Sequence, residues 1–179
     1  MCTVEARAIK DRCPTLLSTF QEVFHVYGMA NSVRVANEDH LLDGRDDHDS
    51  RSSTAPVEGG VGRDADEFNA RRFIRKPGEP RPNPVAFRGS GGGTTLCPGR
   101  HFATVEISLF TAMLLLGLDI LPAGGGEWLK PSTEKSSHAE AMEQPDHDIQ
   151  VEIHPRPGAQ RWRISFEGAG EAALIAEDL

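Results

Sequence analysis

Apolar residues recur at three- and four-residue intervals between Pro14 and Gly28, at Leu16, Leu17, Phe20, Val23, Phe24 and Tyr27. That period predicts an amphipathic helix whose apolar stripe centres near Phe20, with Glu22 and His25 one turn apart on the opposite, polar face. Pro14 suits its first turn and Gly28 its exit. A second stretch, Phe102 to Leu118, is apolar on nearly every side, which predicts a helix buried in protein. Alternation at Val33 and Val35 and again near Leu41 predicts one or two short strands. DIQVEIH and RWRISF also alternate, and they flank PRPGAQ, so the pair predicts a C-terminal hairpin. The polar stretches 43–66 and 123–148 hold few large apolar residues and are expected to be loop-like. The sum is an α+β chain, mainly helical: two main helices, short strands and long loops over 12–167, then a tail at 168–179.

Composition narrows the function classes. Nineteen basic residues against 27 acidic ones give a net charge of -8, which disfavours bulk nucleic-acid binding, because phosphate neutralisation needs a cationic excess. The charge is uneven: from Phe68 to His101 there are seven Lys or Arg against the single Glu79. The three cysteines, Cys2, Cys13 and Cys97, form no CxxC, so neither a disulfide framework nor a zinc knuckle is supported, and a reducing compartment fits. The charged start, MCTVEARAIKDRCP, lacks the apolar run of a signal peptide or anchor. The 17 residues from Phe102 to Leu118 include Glu106 and fall short of a membrane span. Composition alone therefore reads as soluble and intracellular.

The candidate chemistry lies in FRGSGGGTTLCPGRHFA, Phe87 to Ala103. A glycine-rich loop leads to Cys97 at the start of the apolar helix, with Pro98 expected at the first helical position. Unpaired backbone N–H groups and the helix dipole at that end favour a thiolate, able to ligate metal or attack carbon. Gly91, Gly92, Gly93 and Gly99 lack a Cβ and let the backbone approach a large flat ligand closely. The plain alternative is a buried, inert cysteine. GSGGGTT lacks the lysine of a phosphate-binding P-loop, and no histidine pattern carries metal-ligand spacing. Glu22 and His25, read alone, are compatible with a solvated helix face.

Gly91, Gly93, Cys97 and Gly99 together resemble the haem-binding loop of the cytochrome P-450 family, in which the cysteine thiolate is the proximal iron ligand. The helix from Arg100 with Ala103 resembles the helix that follows that cysteine. Glu22 and His25 fall where the family has its Glu-x-x-Arg helix, and ARRF at Ala70 to Phe73 resembles its Pro-x-Arg-Phe motif. CPGRHFA looks most like fungal members near the sterol-hydroxylase and prostacyclin-synthase branch. The resemblance spans nearly all of 12–167 and corresponds to roughly the last third of a family chain, so the expected fold is a truncated C-terminal part of the family's fold.

The resemblance implies haem (iron protoporphyrin) as cofactor, held by Cys97, Gly91, Gly93, Gly99, Arg100 and Arg34, the last in the position of a propionate partner. It implies a structural network of Glu22, His25 and Arg72, and no catalytic acid or base among these residues. The implied activity is insertion of one atom of O2 into a lipophilic small molecule, with electrons from NADPH through a flavoprotein reductase; family members are often anchored to the endoplasmic reticulum. The alternatives are a non-catalytic truncated remnant and a haem-binding module without oxygenase activity. The sequence also departs from the family pattern. Ser90 stands where an aromatic residue usually shields the sulfur, and Thr95 replaces a basic propionate partner. His25 stands where an arginine completes the network, and no A-G-x-x-T segment occurs.

Overall fold

A computed structural model describes residues 2–28, 64, 67–75, 78, 89–91, 96–137 and 140–166. Within these, strand β1 (Cys2–Glu5) leads into helix α1 (Ala6–Arg12) and helix α2 (Pro14–Tyr27). Helix α3 (Arg100–Gly117) runs directly into strand β2 (Leu118–Pro122). Strand β3 (Val151–Pro155), a short 3-10 turn (Ala159–Arg161) and strand β4 (Trp162–Ser165) complete the order.

Local chemistry sets the breaks. A residue before proline avoids the helical region, and Cys13, at φ -121° and ψ 55°, separates α1 from α2 while Pro14 opens the new helix. At the other end Gly28 N–H donates to the Phe24 carbonyl at 3.1 Å. A Cβ at Gly28 would collide with that carbonyl oxygen, so the exit needs glycine.

The sheet topology differs from the hairpin that the alternating segments suggest. β3 does not pair with β4. It lies antiparallel to β2, with Ile120 opposite Ile153, while β4 lies parallel to β1, with Val4 opposite Ile164. The connection explains the difference. Pro155 and Pro157 carry no N–H to extend a two-stranded ladder. Gly158, at φ 83°, then turns the chain into the 3-10 turn and redirects it before Trp162. The Arg156 N–H donates to the Gly117 carbonyl at 2.8 Å, and its Nε meets Asp119 Oδ1 at 2.7 Å, which ties this corner to the end of α3.

Two faces also differ from the helical-wheel expectation. On α2 the buried residues are Leu17, Ser18, Gln21, Glu22 and His25, whereas Phe20, Val23, Phe24 and Tyr27 are only half-buried. The polar stripe faces inward where 67–75 supplies partners to Ser18 and Glu22. On α3 one side carries the buried residues Thr104, Ser108 and Leu109. The rest is uncovered, with Phe102 at 72% exposure and Phe110 at 64%, so the all-round apolar pattern does not produce an all-round buried helix here. α3 also begins at Arg100, with Gly99 as its cap and Pro98 in the preceding turn, two residues later than the proline suggested.

The stretch from 123 to 148 holds no helix or strand among its described residues, as its polarity implies, but it is ordered by internal bonds. Asp146 N–H donates to the Ser132 carbonyl, Lys135 N–H to Asp146 Oδ1, and Thr133 Oγ1 to Glu143 Oε2. Glu143 N–H reaches the Tyr27 carbonyl at 2.8 Å, so the loop is pinned to the end of α2. The strands expected near Val33, Val35 and Leu41, the tail from 168, and all of 43–66 except Asp64 lie outside the described residues.

The apolar core is small. Ala6, Ile9 and Leu109 form its centre, with Val4, Cys13, Leu16, Val105 and Ala112 packed around them, so β1, α1, α2 and α3 meet there. Truncating a fully buried aliphatic side chain loses its transfer energy and leaves a cavity. Ile9→Ala is therefore expected to lower the unfolding free energy by about 2–5 kcal/mol, measured by urea denaturation; a change within about 0.5 kcal/mol would show that this cluster does not hold the helices together.

Candidate functional site

Among the described residues, two constellations contain the residues that the sequence singles out. The first is built on the inward polar stripe of α2. Glu22 is 0% exposed, and an ionised carboxylate in that position requires partners for both oxygens. Arg72 Nε lies 3.1 Å from Oε1 and 3.0 Å from Oε2, and the Asn69 backbone N–H donates to Oε1 at 2.7 Å. His25, one turn on, places Nδ1 3.4 Å from Oε2. The guanidinium is itself fully engaged: Nη1 meets Asp64 Oδ1 at 2.9 Å, and Nη2 donates to the carbonyls of Asp64 and Glu67.

The segment 67–75 is thus laid on α2 by one arginine and reinforced beside it. Phe73 N–H donates to Ser18 Oγ at 3.0 Å. The Phe73 ring stands edge-on to the His25 imidazole, with centroids 6.1 Å apart, and the Phe68 ring lies 6.4 Å from that of Tyr27. Glu22, His25 and Arg72 are brought together; Ser18, Asn69 and Asp64 belong to the same cluster and were not singled out by the sequence. Ser18, Gln21, Glu22 and His25 share an i, i+3, i+4, i+7 spacing, and that polar stripe was the available signal for Ser18. Asn69 acts through its backbone, and Asp64 falls in a stretch whose polarity reads as loop, so neither carried one.

The second constellation surrounds Cys97. Its backbone N–H donates to the Ser90 carbonyl at 2.8 Å, which closes the loop in front of the helix. Arg100 N–H and Arg100 Nη1 both return to the Cys97 carbonyl, at 3.3 and 3.0 Å. Cys97 is exposed, at the N-terminal mouth of an 18-residue helix. Gly91 adopts φ 87°, in the left-handed region that favours glycine. Gly99 flanks the sulfur: a Cβ there would lie 3.9 Å from Sγ. Gly93 and Arg34 lie outside the described residues. An accessible soft sulfur at a helix N-terminus, flanked by a residue without a side chain, fits an axial ligand to a metal held in a flat macrocycle. Arg72, by contrast, is withdrawn from the basic run: its side chain is 6% exposed, so it adds nothing to a cationic surface.

Two outcomes follow from the first constellation. Removing one partner of a buried ion pair leaves an uncompensated charge. Arg72→Ala is therefore expected to cost about 3–5 kcal/mol of stability, read from denaturation midpoints, and a loss below about 1 kcal/mol would show the contact to be marginal. The hydrogen bond from Arg72 holds the Asp64 carboxyl below its ordinary value of 3.8. A depressed acid binds fewer protons folded than unfolded, so its contribution is present above the ordinary value and is lost as pH falls through the folded one. Asp64→Asn should flatten the acid limb of the melting curve; an unchanged limb would rule out this linkage.

Comparison with known proteins places these geometries in a family. The cytochrome P450 family model matches residues 63–147, which include Arg72 and Cys97. The chain is 31% identical over 167 residues to cytochrome P450 monooxygenase nodJ of Hypoxylon pulicicidum, covering 86% of this chain and 32% of that protein. It is 31% identical over 137 residues to a cytochrome P450 monooxygenase of Gibberella zeae, covering 69% of this chain and 26% of that one. A third relative, cytochrome P450 monooxygenase cheE of Chaetomium globosum, is 40% identical over 70 residues, 35% of this chain and 14% of the other. The chain thus spans about a third or less of the length of these relatives. No solved structure matches it. The chain belongs to the cytochrome P450 family.

Proposed function

We propose that this chain is the haem-binding C-terminal portion of a haem-thiolate monooxygenase, in which Cys97 is the axial ligand to the iron. The observation that carries the reading is the exposed Cys97 sulfur at the mouth of α3, with Gly99 beside it and the loop closed by the bond to Ser90. Haem, when bound, supplies oxygen activation, and a thiolate ligand favours O–O cleavage.

The residues of this chain have the supporting parts. Cys97 offers the sulfur, with negative charge favoured by the N-terminal end of α3. Arg100, bonded to the Cys97 carbonyl, fixes the turn that aims it. Gly91 and Gly99 keep the approach to the sulfur narrow in side chains, and Gly93 and Arg34 extend the same loop and propionate roles by family pattern. Glu22, His25 and Arg72 hold the segment 67–75 and do not serve as catalytic acid or base. The names of the relatives as monooxygenases support insertion of one atom of O2 into a lipophilic small molecule. By the same family reading, a flavoprotein reductase delivers the electrons of NADPH. The placement near the sterol-hydroxylase and prostacyclin-synthase branch belongs to this proposal as well, as does the domain extent of 12–167.

A second reading, a haem-binding module without oxygenase activity, is favoured by the apolar surface of α3. Phe102, Ile107, Phe110 and Leu115 are exposed. No helix among the described residues is long and apolar enough to cross a membrane.

The chain titrated with haemin, reduced and exposed to carbon monoxide is expected to show the red-shifted Soret band of thiolate ligation, and Cys97→Ala to abolish it while Cys2→Ser with Cys13→Ser leaves it in place. A band that survives Cys97→Ala refutes the ligand assignment. Turnover of a lipophilic substrate with NADPH and a reductase then separates the oxygenase from the binding module.

A further inference from the structure

The Glu22 cluster contains two carboxylates, Glu22 and Asp64, against one guanidinium, Arg72. Among the described residues, Glu22 is the carboxylate that reaches His25, and Asp64 meets the far side of Arg72. His25 Nδ1 stands 3.4 Å from Glu22 Oε2, at ion-pair distance. His25 also lies in the last turn of α2, where the helix dipole favours a cation. Its side chain is 2% exposed, so bulk water screens this field little. Burial by itself opposes the imidazolium, whereas the Glu22 carboxylate at 3.4 Å and the helix end both favour it.

We propose that the junction between α2 and the segment 67–75 is a proton-responsive clasp: His25 takes up a proton in mild acid, pairs with Glu22 as an imidazolium, and releases the pair as pH rises. Among the described residues the charged groups facing it are Glu22 from its own helix, Arg72 from the segment packed on it and, across Arg72, Asp64, while the loop pinned to the end of α2 brings Glu143 to Tyr27. The other helices touching α2 are α1 and α3. On α1, Arg7, Asp11 and Arg12 are exposed and Lys10 is half-buried; on α3, Glu106 is exposed while Arg100 and His101 are half-buried.

The sign of the effect follows from linkage. An imidazole with a raised pKa when folded contributes stability that is fully present below about 6.5, the unperturbed value. That contribution is lost as pH rises through the folded value. Phe73 and Ser18 connect this change to position: the Phe73 ring stands edge-on to His25 and its N–H is held by Ser18, so loosening the pair relaxes one of the contacts that hold the segment carrying Arg72.

The test uses the 179-residue chain. An NMR titration of its nitrogen-15-labelled imidazoles is expected to show His25 titrating above about 6.5. The melting temperature of the chain, relative to His25→Gln, is expected to fall by about 3–5 °C between about pH 5.5 and about pH 8.5. The slope should survive His101→Gln. His25 titrating at or below about 6.5, an equal slope in His25→Gln, or loss of the slope in His101→Gln each overturns the proposal.

Discussion

A carboxylate with no exposure to water governs the arrangement of this chain. Glu22 sits on the inward side of α2, and its ionised form there is tolerated only because Arg72 Nε spans both oxygens and Asn69 adds a backbone N–H. The partners come from 47 and 50 residues further along the chain. A hydrophobic contact at that separation could slide by a residue without much loss. A guanidinium bonded to two carboxylates and two carbonyls cannot, because every displaced bond leaves a desolvated group without a partner. The position of 67–75 on α2 is thereby specified more sharply than apolar packing alone would specify it.

That specification matters because apolar packing is scarce. Among the described residues the buried apolar side chains are Ala6, Ile9, Leu17 and Leu109, and the buried polar ones are Ser18, Gln21, Glu22, His25, Thr104 and Ser108. The interior is a polar seam along α2 and α3 beside a compact patch around Ile9. Much of the large apolar surface instead faces outward, on α3 and on the β2–β3 ribbon.

The sequence disclosed period better than it disclosed facing. Both long helices were legible, because Leu16 to Tyr27 and Phe102 to Leu118 carry strong patterns. Which side each buries was not, since the helical wheel ranks residues by hydropathy and knows nothing of a partner arriving from far along the chain. Once Arg72 supplies that partner, the polar stripe of α2 is the one that turns inward. The strands β3 and β4 were legible as strands for the same reason, but their partners were not. Alternation fixes which residues share a face, whereas pairing depends on what the intervening prolines and Gly158 do to the chain direction. The Cys97 turn was legible because its chemistry is local: glycine, cysteine, proline and glycine act within a few residues of one another. Asn69 left no trace, since a backbone N–H is the same in every residue but proline.

The two constellations are coupled through α1. This seven-residue helix packs against both α2, which carries the Glu22 cluster, and α3, which carries Cys97 at its mouth. Ile9 and Ala6 form the contact with Leu109 on one side, and Leu16 at the start of α2 closes the other. The Cys97 turn has its own short-range bonds, to Ser90 and within the first turn of α3, so its internal shape does not need the cluster. Its placement relative to the rest of the chain does, because α3 packs on α1 and α2, and α1 is joined to α2 by the Cys13 link and by the packing of Leu16. A disturbance of Glu22 is therefore expected to move the sulfur as a rigid unit and to leave the geometry of its turn intact. Placement and local shape are in this way assigned to different residues: an ion cluster fixes 67–75 on α2, and the glycine-flanked turn of Cys97 is held by its own short-range bonds.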